Sequence, residues 1–370
     1  MKAIILVGGE GLRLRPLTCK IPKPMVPIVN RPFLEHMLKN LKKHNIDEVI
    51  LAICYLPDCI QHHFGDGSDL EVRLNYAVEQ SPLGTGGAVK NAQQLLNDTF
   101  LVFNGDVFSD LDLTDMIKFH RKHKAKATIA LTPVEDPTAY GVVETDNQSR
   151  VKRFVEKPSW ERVTTNFINA GTYVLEPDVL ELIPPGIYCM LERGLFPDLV
   201  ERGIPFFGYR SNAYWIDIGN PKDYLKLHHD LLMRKAIVRF PGKLIADDIW
   251  LDKGCNIHSS VKLIGPIVIG RKCVIEQDVK ISGPTVLGSG CNIGQGSTID
   301  EAILWQNVKL GKNVTIRNSV VGSNSVIGDN TWVTDGSILG DDTNIGSGNK
   351  LGHGIKVWAE RTIEDNAITF

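Results

Sequence analysis

The sequence predicts two domains of different class, a layered α/β domain followed by a parallel β-helix. Short apolar runs alternate with amphipathic stretches from residue 2 to about residue 235, and beyond about residue 245 aliphatic residues recur every six positions. Alternating strands and helices are typical of a layered α/β fold, whereas a fixed six-residue period is typical of β-helix rungs. The length of 370 residues also exceeds that of most single cores. We therefore expect domains at residues 1–235 and 245–370.

The apolar patterns divide the α/β part into elements. Its first strand is predicted over residues 3–7, a continuous apolar run suited to a parallel sheet covered on both faces. In the helix that follows, Asn30 would be the cap and Pro32 would lie in the first turn. The apolar face of that helix would be formed by Phe33, Leu34, Met37, Leu38 and Leu41. Further strands are predicted over 49–54, 101–104 and 128–131, and further helices around 85–96, 113–123 and 221–234.

The six-residue period is the clearest pattern in the chain. It runs without a miss through Ile257, Leu263, Ile269, Ile275, Ile281, Leu287, Ile293 and Ile299. The phase slips through Leu304, Leu310 and Ile316 and then resumes from Val321 to Val357. We expect the rungs to stack these side chains in a shared core and the turns to bulge outward at the two slips. Because a stack ends in unpaired strand edges, capping or assembly into a homo-oligomer is also expected.

The composition excludes several classes of protein. With 41 Lys and Arg against 43 Asp and Glu, the net charge is -2, so the broad positive field of a nucleic-acid-binding protein is absent. The seven cysteines form no CxxC pair and lie in apolar runs, which favours buried thiols in a reducing compartment. No apolar run approaches the roughly 20 residues of a membrane span, and no cleavage site follows the first run. We expect a soluble, cytoplasmic protein.

A glycine-rich, basic stretch directly after the first strand predicts an anion site. It reads VGGEGLRLRPLTCKIPKP over residues 7–24 and contains Gly8, Gly9 and Gly11. Backbone N–H groups of a glycine turn can approach phosphate oxygens closely. Two standard phosphate motifs are excluded, since Leu14 replaces the third glycine of a dinucleotide fingerprint and no Gly-Lys-Ser/Thr follows. A purely structural turn is the alternative to an anion site.

The basic residues of the stretch favour phosphate binding over a structural turn. The planar guanidinium of Arg13 can bind a phosphate through two N–H groups. Pro22 and Pro24 restrict the backbone on both sides of Lys23, so less entropy is lost when its ammonium binds an anion.

The segment GEGLRLRPLT followed by PKP closely resembles the signature of the sugar-1-phosphate nucleotidyltransferases. The six-residue repeat strengthens this resemblance, which extends over essentially the whole chain and is nearest to the mannose-1-phosphate guanylyltransferases. It implies a Rossmann-like mixed sheet followed by the left-handed β-helix of the hexapeptide-repeat proteins. Leu12 departs from the family pattern, which usually has Thr or Ser there, so a hydroxyl contact from this position is not expected.

The resemblance also implies a set of site residues. Asp106 in FNGDVF and Asp217 in YWIDIGN match the family positions that bind Mg²⁺. Arg13 and Lys23 would bind the triphosphate, and Lys157 would bind the incoming phosphate. Sugar contacts are implied for Gly141, Glu156, Asn169 and Gly171.

The implied reaction is attack by a sugar-1-phosphate oxygen on the α-phosphorus of a nucleoside triphosphate. A phosphate monoester has a second pKa of about 6, so it is largely ionised at pH 7 and needs no general base. The sequence agrees, since it contains no convincing Ser-His-Asp or Cys-His arrangement. The difficulty is electrostatic, because anions must meet, and a cation with fixed positive side chains answers it.

The segment NYAVEQSPLGTGG resembles the base-reading strand and loop of the family, with Gly84 and Thr85 in the nucleotide loop. Alignment on Gly84 places Glu79 where uridylyl- and thymidylyltransferases generally have Gln. A carboxylate only accepts hydrogen bonds, and guanine offers two adjacent donors, N1–H and N2–H. This pattern favours GTP, and the resemblance to the mannose-1-phosphate guanylyltransferases implies mannose 1-phosphate as the sugar. Recognition by Gln80, with Glu79 as a solvated strand-end residue, is the alternative.

Several other interpretations stay open. The substrate pair could instead be glucose 1-phosphate with dTTP, UTP or ATP, or the chain could be a silent regulatory subunit that binds a nucleotide sugar. His353 in a Gly-His-Gly turn leaves an additional acyltransferase activity possible. The pairs at 62–63 and 228–229 are interpreted as surface histidines. Trp305, Trp332 and Trp358 are expected to cover a face of the β-helix or to form an oligomer contact.

Overall fold

The computed structural model describes residues 1–369. The α-helices in this range are Phe33–Lys43 (α1), Pro57–Phe64 (α2), Gly84–Asn91 (α3), Leu113–Lys122 (α4), Phe196–Glu201 (α5) and Pro221–Leu232 (α6). The strands before residue 220 are Lys2–Leu6 (β1), Pro27–Ile28 (β2), Arg31–Pro32 (β3), Glu48–Ile53 (β4), Arg73–Val78 (β5), Phe100–Asn104 (β6), Val107–Ser109 (β7), Ala127–Pro133 (β8), Gly141–Thr145 (β9), Val151–Glu156 (β10), Phe167–Leu175 (β11), Phe206–Arg210 (β12) and Trp215–Asp217 (β13).

The remaining strands are short and closely spaced. They are Lys243–Ala246 (β14), Ile249–Leu251 (β15), Asn256–Ile257 (β16), Lys262–Ile264 (β17), Ile267–Ile269 (β18), Val274–Ile275 (β19), Lys280–Ser282 (β20), Thr285–Leu287 (β21), Asn292–Ile293 (β22), Thr298–Asp300 (β23), Ile303–Leu304 (β24), Lys309–Leu310 (β25), Thr315–Arg317 (β26), Val320–Val321 (β27), Val326–Ile327 (β28), Trp332–Val333 (β29), Ile338–Leu339 (β30), Asn344–Ile345 (β31), Lys350–Leu351 (β32), Lys356–Val357 (β33) and Thr362–Ile363 (β34).

The chain forms two compact units. The first unit comprises Met1–Gly9 and Leu34–Asp217, and the second comprises Glu10–Phe33 together with the described residues from Ile218 onward. The division is therefore not a single cut along the chain, because the glycine-rich, basic stretch groups with the carboxy-terminal part. The linear domain boundaries at 1–235 and 245–370 stay a prediction.

The first unit is built on a nine-stranded mixed sheet, as expected for an α/β domain. Its main path is β10-β9-β11-β6-β1-β4-β5, and β8 pairs with β11 and β12. Strands β5, β4, β1 and β6 are parallel, whereas β9, β10 and β11 run antiparallel to their neighbours. The predicted first strand is confirmed with its bounds shifted by one residue. Ala3, Ile4 and Ile5 are fully buried because β1 is a central strand covered on both faces.

The predicted start of the first helix is wrong. Helix α1 begins at Phe33, and Pro32 lies in strand β3 of a short hairpin formed by β2 and β3. Asn30 is in the turn of that hairpin with a φ of 64°, a left-handed conformation that Asn tolerates better than most residues. Its side-chain Nδ2 donates to the carbonyl of Leu287 at 2.8 Å, so it does not cap α1.

The second unit contains three stacked sheets of short strands, which is consistent with a left-handed β-helix. The sheets have eight, seven and six strands, and their neighbours are parallel except for the first pair, β14 and β15. Successive rungs align the predicted aliphatic residues, as where Ile275 pairs with Ile293. These side chains form one continuous buried cluster. The β-helix predicted from the six-residue period is confirmed.

The outward bulges predicted at the two phase slips are absent from the described strands. Across the slips, paired residues are 17 positions apart instead of 18, as for Val286 with Ile303 and Thr315 with Trp332. The strands stay in register, so each affected coil loses one corner residue. Glu301 and Asn318 turn these shorter corners with φ values of 49° and 43°.

One outer face of the β-helix is apolar and buried. On the eight-stranded sheet, the outward side chains Val268, Val286, Ile303, Val320 and Ile338 are at most 1 % exposed. The outward residues of the other two sheets are mostly polar or exposed, including Trp332 at 51 %. Within the second unit, this sheet contacts the hairpin through Leu287 and helix α6 through a bond from Trp305 to Tyr224.

Among the helices of residues 1–369, none combines the length and the apolar character needed to cross a membrane.

Asp341 generates a prediction about the pH dependence of stability. Its side chain is 5 % exposed, and burial raises the pKa to about 6, although a bond from the Ser323 N–H at 2.7 Å opposes the shift. The folded pKa lies above the unfolded value of about 3.9, so ionisation of Asp341 destabilises the fold, and the full effect is present above pH 6. Below about pH 4 the carboxyl group is neutral in both states, and the effect disappears. Asp341→Asn should raise the free energy of unfolding at pH 7.5 by about 2 kcal/mol.

Denaturant titrations at pH 7.5 and pH 4 measure this difference. Asp329→Asn is the matched control, because Asp329 accepts the Lys312 N–H at 2.7 Å at an equivalent corner but is exposed. A stabilisation of Asp341→Asn that is the same at both pH values would contradict the argument.

Candidate active site

The carboxyl ends of four adjacent parallel strands define the candidate site in the first unit. In the order β5, β4, β1, β6, these strands lead into Glu79, Cys54, Val7 and Gly105. The chain passes from β1 to β4 on one side, and β6 lies on the other side of β1. Ligands of open α/β sheets bind at such a switch of direction, outside the carboxyl ends of the strands.

Two glycines allow the loops at this edge to approach each other. The Gly105 N–H donates to the Leu6 carbonyl at 3.0 Å, and a Cβ at Gly105 would lie 2.4 Å from that oxygen. A Cβ at Gly8 would lie 3.2 Å from the Cβ of Cys54, whereas a Cβ at Gly9 would meet nothing within 4 Å. The space beside Gly9 is thus open to a ligand. Sequence reasoning missed Gly105, although it directly precedes Asp106.

The structure brings the two predicted metal-binding aspartates together. Strand β13 pairs antiparallel with β7, and Asp217 lies opposite Val107, the residue after Asp106. No group of three or more His, Cys, Asp or Glu side chains in residues 1–369 forms a metal cluster. Mg²⁺ commonly uses one or two carboxylates together with substrate phosphates, so a pair of aspartates has the right chemistry. Metal binding by this pair stays a prediction.

The predicted sugar-contacting residues also lie close together. Gly141 pairs with Glu156 between β9 and β10, and a Cβ at Gly141 would lie 2.9 Å from Oε2 of Glu156. On β11, Asn169 accepts the Gly171 N–H at 2.9 Å through Oδ1. Strands β9 and β11 pair at Val142 and Ile168, which are the neighbours of Gly141 and Asn169, so the two pairs of residues are adjacent in the sheet. Their contacts with a sugar remain untested.

Lys157 directly follows β10 in an uncommon backbone conformation. Its φ of 47° lies in the left-handed region, and its N–H donates to the Tyr140 carbonyl at 3.0 Å. A non-glycine residue held in this region marks local strain, which concentrates at functional positions. The geometry is therefore compatible with the predicted phosphate contact of Lys157.

Asn104 and Tyr173 belong to the same edge and were missed. Tyr173 is fully buried, and its hydroxyl accepts a bond from Nδ2 of Asn169 at 2.9 Å. Burial raises the pKa of Tyr173 well above its ordinary value, and the charges of Glu192 and Asp106 add to the shift. The Oδ1 of Asn104 is buried without a hydrogen-bond donor in the described part of the chain. Such an acceptor suits a substrate hydroxyl.

Glu192 is a further acidic residue that sequence reasoning missed. It lies on a π-helical turn over Leu191–Leu195, is 7 % exposed and accepts the Thr85 hydroxyl at 2.7 Å. The Thr85 oxygen in turn accepts the Leu191 N–H at 2.8 Å. Burial raises the pKa of Glu156, Glu192 adds to the shift, and Lys157 and Arg193 oppose it. A single Glu in a stretch without a motif gave no signal at the level of sequence.

Glu79 closes the loop between β5 and α3. Its Oε2 accepts the Leu83 N–H at 2.9 Å, and its own N–H donates to the Ile53 carbonyl at 2.8 Å. The side chain is 8 % exposed, and burial raises the pKa of Glu79 although the bond to Leu83 lowers it. Gly84 has a φ of 73°, and a Cβ there would lie 2.6 Å from the Cys189 carbonyl oxygen. The loop therefore requires glycine at 84.

The predicted cationic residues Arg13 and Lys23 lie in the second unit. Gly11 has a φ of 66°, accepts the Thr18 hydroxyl at 2.8 Å, and would place a Cβ 3.1 Å from the Cβ of Lys23. Lys23 lies between Pro22 and Pro24, is 7 % exposed and begins a 3-10 turn over Lys23–Met25. The Arg13 guanidinium lies against Gly219, where a Cβ would be 2.8 Å from its NH2 group. Sequence reasoning missed this requirement for glycine at 219.

Comparisons with known proteins agree with both parts of the chain. Residues 2–234 match the family described as nucleotidyl transferase, and residues 246–351 match the LbH domain of EIF2B subunit epsilon. A mannose-1-phosphate guanylyltransferase of Mycobacterium tuberculosis is 38 % identical over 83 % of this chain and 80 % of its own length. A UTP–glucose-1-phosphate uridylyltransferase of Synechocystis is 35 % identical over 84 % of both chains.

A solved structure is also similar. HddC from Yersinia pseudotuberculosis, complexed with GMP-PN, is 33 % identical, with a TM-score of 0.53 over 61 % of this chain and 97 % of that one.

Thr85 generates a prediction about the stability of this loop. Thr85→Val removes the hydroxyl that donates to the buried carboxylate of Glu192, so the free energy of unfolding should fall by about 1–3 kcal/mol. Urea titration of the purified proteins measures the change. Thr85→Ser retains the hydroxyl and serves as the control. Equal stability of the Val and Ser variants would contradict the role of this hydrogen bond.

Proposed function

The chain belongs to the nucleotidyl transferase family and is a sugar-1-phosphate nucleotidyltransferase, and on that premise we propose that it transfers the guanylyl group of GTP to mannose 1-phosphate. Several of the similar relatives bear the name mannose-1-phosphate guanylyltransferase, including the protein of Mycobacterium tuberculosis and one of Arabidopsis thaliana. The uridylyltransferase of Synechocystis is nearly as similar, so the residues near the base must decide between the two nucleotides.

Glu79 is the observation that carries the choice of GTP. A buried carboxylate at the end of β5 can accept hydrogen bonds but, when ionised, cannot donate one. Guanine offers N1–H and N2–H side by side, whereas uracil and thymine offer one donor flanked by acceptors. Oε2 already accepts the Leu83 N–H, but each carboxylate oxygen has two lone pairs, so both oxygens retain capacity for a base. Uracil would instead place a carbonyl oxygen near the carboxylate.

The proposed reaction exchanges one phosphorus–oxygen bond for another. An oxygen of the sugar phosphate attacks the α-phosphorus of GTP, the bond from that phosphorus to the bridging oxygen breaks, and pyrophosphate leaves with the electron pair. The attacking phosphate is already ionised, so no side chain has to remove a proton. The protein contributes by holding anions in position against their mutual repulsion.

The positive side chains have distinct roles in this proposal. Arg13 binds the triphosphate through its planar fork, and the absence of a side chain at Gly219 provides the surface on which that fork lies. Lys23 supplies a charge whose backbone is restricted by the flanking prolines. Lys157 binds the phosphate of the sugar. Gly8, Gly9 and Gly11 allow backbone N–H groups to approach the triphosphate.

Asp106 and Asp217 would hold Mg²⁺, since Asp217 lies opposite Val107, the residue after Asp106, and two carboxylates offer the oxygen ligands that this ion prefers. When bound, the ion would neutralise charge on the phosphates.

The sugar is proposed to bind between Glu156 and Asn169, with Asn104 offering a buried acceptor to one hydroxyl. We also propose that the protein works in the cytoplasm as a homo-oligomer. The location is supported by the seven cysteines, all of which are free thiols. An additional acyltransferase activity gains no support, because His353 is an exposed corner residue with a φ of 54°.

The first prediction concerns the charge-stabilising residues. Lys23→Ala or Asp217→Ala should lower the rate by about 10²–10³, equivalent to about 2.7–4 kcal/mol of barrier, because each removes charge stabilisation in the transition state. Pyrophosphate release with GTP, mannose 1-phosphate and Mg²⁺ measures the loss. Lys122→Ala, an exposed lysine at the end of α4, is the control and should keep the full rate. Near-normal turnover of either active-site variant would refute its assigned role.

The second prediction concerns the base. Glu79→Gln should lower kcat/KM for GTP and raise it for UTP or dTTP, because an amide supplies one donor beside one acceptor. The Gln oxygen can still accept the Leu83 N–H, so the loop is preserved. The assay compares GTP, UTP, dTTP and ATP, each with mannose 1-phosphate and glucose 1-phosphate. If the wild-type protein prefers UTP with glucose 1-phosphate, the proposed substrates are wrong; if the variant keeps the wild-type preference, Glu79 does not read the base.

A further inference from the structure

The segment that contains Gly11, Arg13 and Lys23 packs against the β-helix within the second unit. We call residues 10–33 the phosphate segment. Its contacts with the β-helix lie at three places along its length. Pro16 lies beside Gly340, Lys20 contacts Asp342 and Glu360, and Asn30 donates to the Leu287 carbonyl.

Lys20 forms two short ion pairs with the coils. Its Nζ lies 2.7 Å from Oδ2 of Asp342 and 2.5 Å from Oε1 of Glu360. The Asp342 carboxylate is itself held in place, because its Oδ1 accepts a bond from Nδ2 of Asn324 at 3.1 Å. Asn324 in turn accepts a bond from Asn307 on the preceding coil at 3.1 Å. Lys20 therefore binds the end of a ladder of side chains fixed by successive rungs.

Lys20 lies between Arg13 and Lys23 along the phosphate segment. Arg13 belongs to a 3-10 turn over Leu12–Leu14, and Lys23 begins a second 3-10 turn over Lys23–Met25. Lys20 lies between these turns, one residue after Cys19, whose N–H donates to the Pro16 carbonyl at 3.3 Å. Displacement of Lys20 would therefore disturb the chain that carries both Arg13 and Lys23.

The other end of the phosphate segment is held differently, by buried hydrogen bonds. The Tyr224 hydroxyl donates to the Pro27 carbonyl and accepts a bond from Nε1 of Trp305 at 2.9 Å. His228 accepts the Val29 N–H at 3.1 Å through Nε2, while Nδ1 lies 3.0 Å from the Tyr224 carbonyl. His228 is fully buried, so its interpretation as a surface residue is wrong. Trp305 covers a face of the β-helix, as one of its two predicted roles requires.

The two ends therefore differ in how firmly they are attached. The end near Pro27 is fixed by buried groups that would be costly to separate. The end that carries Arg13 is attached by the contact of Pro16 with Gly340 and by the ion pairs of Lys20. These ion pairs are exposed, since the side chain of Lys20 is 37 % exposed and that of Asp342 is 36 % exposed. Exposed ion pairs contribute little to global stability, but they can select one position of a local segment.

We propose that Lys20 is a positioning residue for nucleotidyl transfer, which clamps the phosphate segment to Asp342 and Glu360 of the β-helix and so holds Arg13 and Lys23 in place for the triphosphate. This inference rests on the proposed function, in which Arg13 and Lys23 bind the triphosphate. It gives the β-helix a part in nucleotide binding that acts through the phosphate segment. Lys20 itself does not contact the nucleotide.

The kinetic test compares two ways of opening the clamp. Lys20→Met removes the charge and keeps the aliphatic stem, while the double variant Asp342→Asn with Glu360→Gln removes both acceptors. Each should raise KM for GTP about fivefold, the equivalent of an exposed ion pair near the upper end of its usual range. The triple variant should raise it no further, because one clamp is lost in every case. KM for mannose 1-phosphate and kcat should change less than twofold. Lys20→Arg keeps the positive charge and should have the wild-type KM for GTP.

Arg271→Met is the matched control. Arg271 pairs with Asp252 of the preceding coil at 3.0 Å and is exposed, so its loss removes a similar ion pair that does not touch the phosphate segment. Its kinetic constants should equal those of the wild-type protein. If Lys20→Met raises KM for GTP but the Asp342 and Glu360 variant does not, Lys20 binds the nucleotide directly and the clamp is refuted.

Hydrogen–deuterium exchange tests the clamp without reference to activity. The amides of Leu14, Arg15, Leu17 and Cys19 are hydrogen bonded within the phosphate segment. They should exchange about fivefold faster in Lys20→Met and in the acceptor variant, and at the wild-type rate in Arg271→Met. Unchanged exchange in both clamp variants overturns the proposal. Faster exchange in a protein without nucleotidyltransferase activity would support the clamp and refute the proposed function instead.

Discussion

Burial of one apolar face of the β-helix is the constraint on which the second unit depends. A triangular coil presents three outer faces to its surroundings, and here the eight-stranded face carries Val268, Val286, Ile303, Val320 and Ile338 in a row that is almost fully buried. At about 25 cal/mol per Å², covering such a row is strongly favourable. The phosphate segment and helix α6 contact this sheet through Leu287 and Trp305. A residue stretch close to the amino terminus thereby acquires a rigid support formed by the carboxy-terminal third of the chain.

The proposed reaction is governed mainly by electrostatics. The reaction joins anions, so the side chains that serve it must be charged, and their positions must be fixed before the substrates arrive. In the first unit, the pairing of β7 with β13 places Asp217 beside Asp106, and burial together with Glu192 raises the pKa of Glu156. In the second unit, prolines restrict Lys23 and a glycine makes room for Arg13. Backbone geometry thus sets the positions of these charged groups, so they lose less conformational entropy when a substrate binds.

Much of the fold followed from local patterns, because burial imposes a period. The apolar run of β1 and the six-residue repeat both describe side chains that point into a core, and both were confirmed. The errors lie where the chain turns. Asn30 resembles a helix cap, but its backbone turns a hairpin and its amide binds Leu287, a contact formed by residues 257 positions apart. The phase slips indicated an irregularity correctly, but the sequence could not decide between an added bulge and a shorter corner.

The sequence by itself determined the chemistry of this protein, since glycines, arginine, lysines and aspartates in a fixed order predict a phosphate-binding site and its family. It also determined both architectures, because alternating and six-residue periods are local consequences of side-chain burial. Only the tertiary structure decided which distant side chains meet each other. Glu192 lies in no quoted segment, and Asn104, Gly219 and Lys20 lie in quoted segments whose patterns singled out other residues. Each gains its contact from a partner distant in the chain, as Lys20 does from Asp342. Such contacts depend on how whole elements pack, and no local pattern records them.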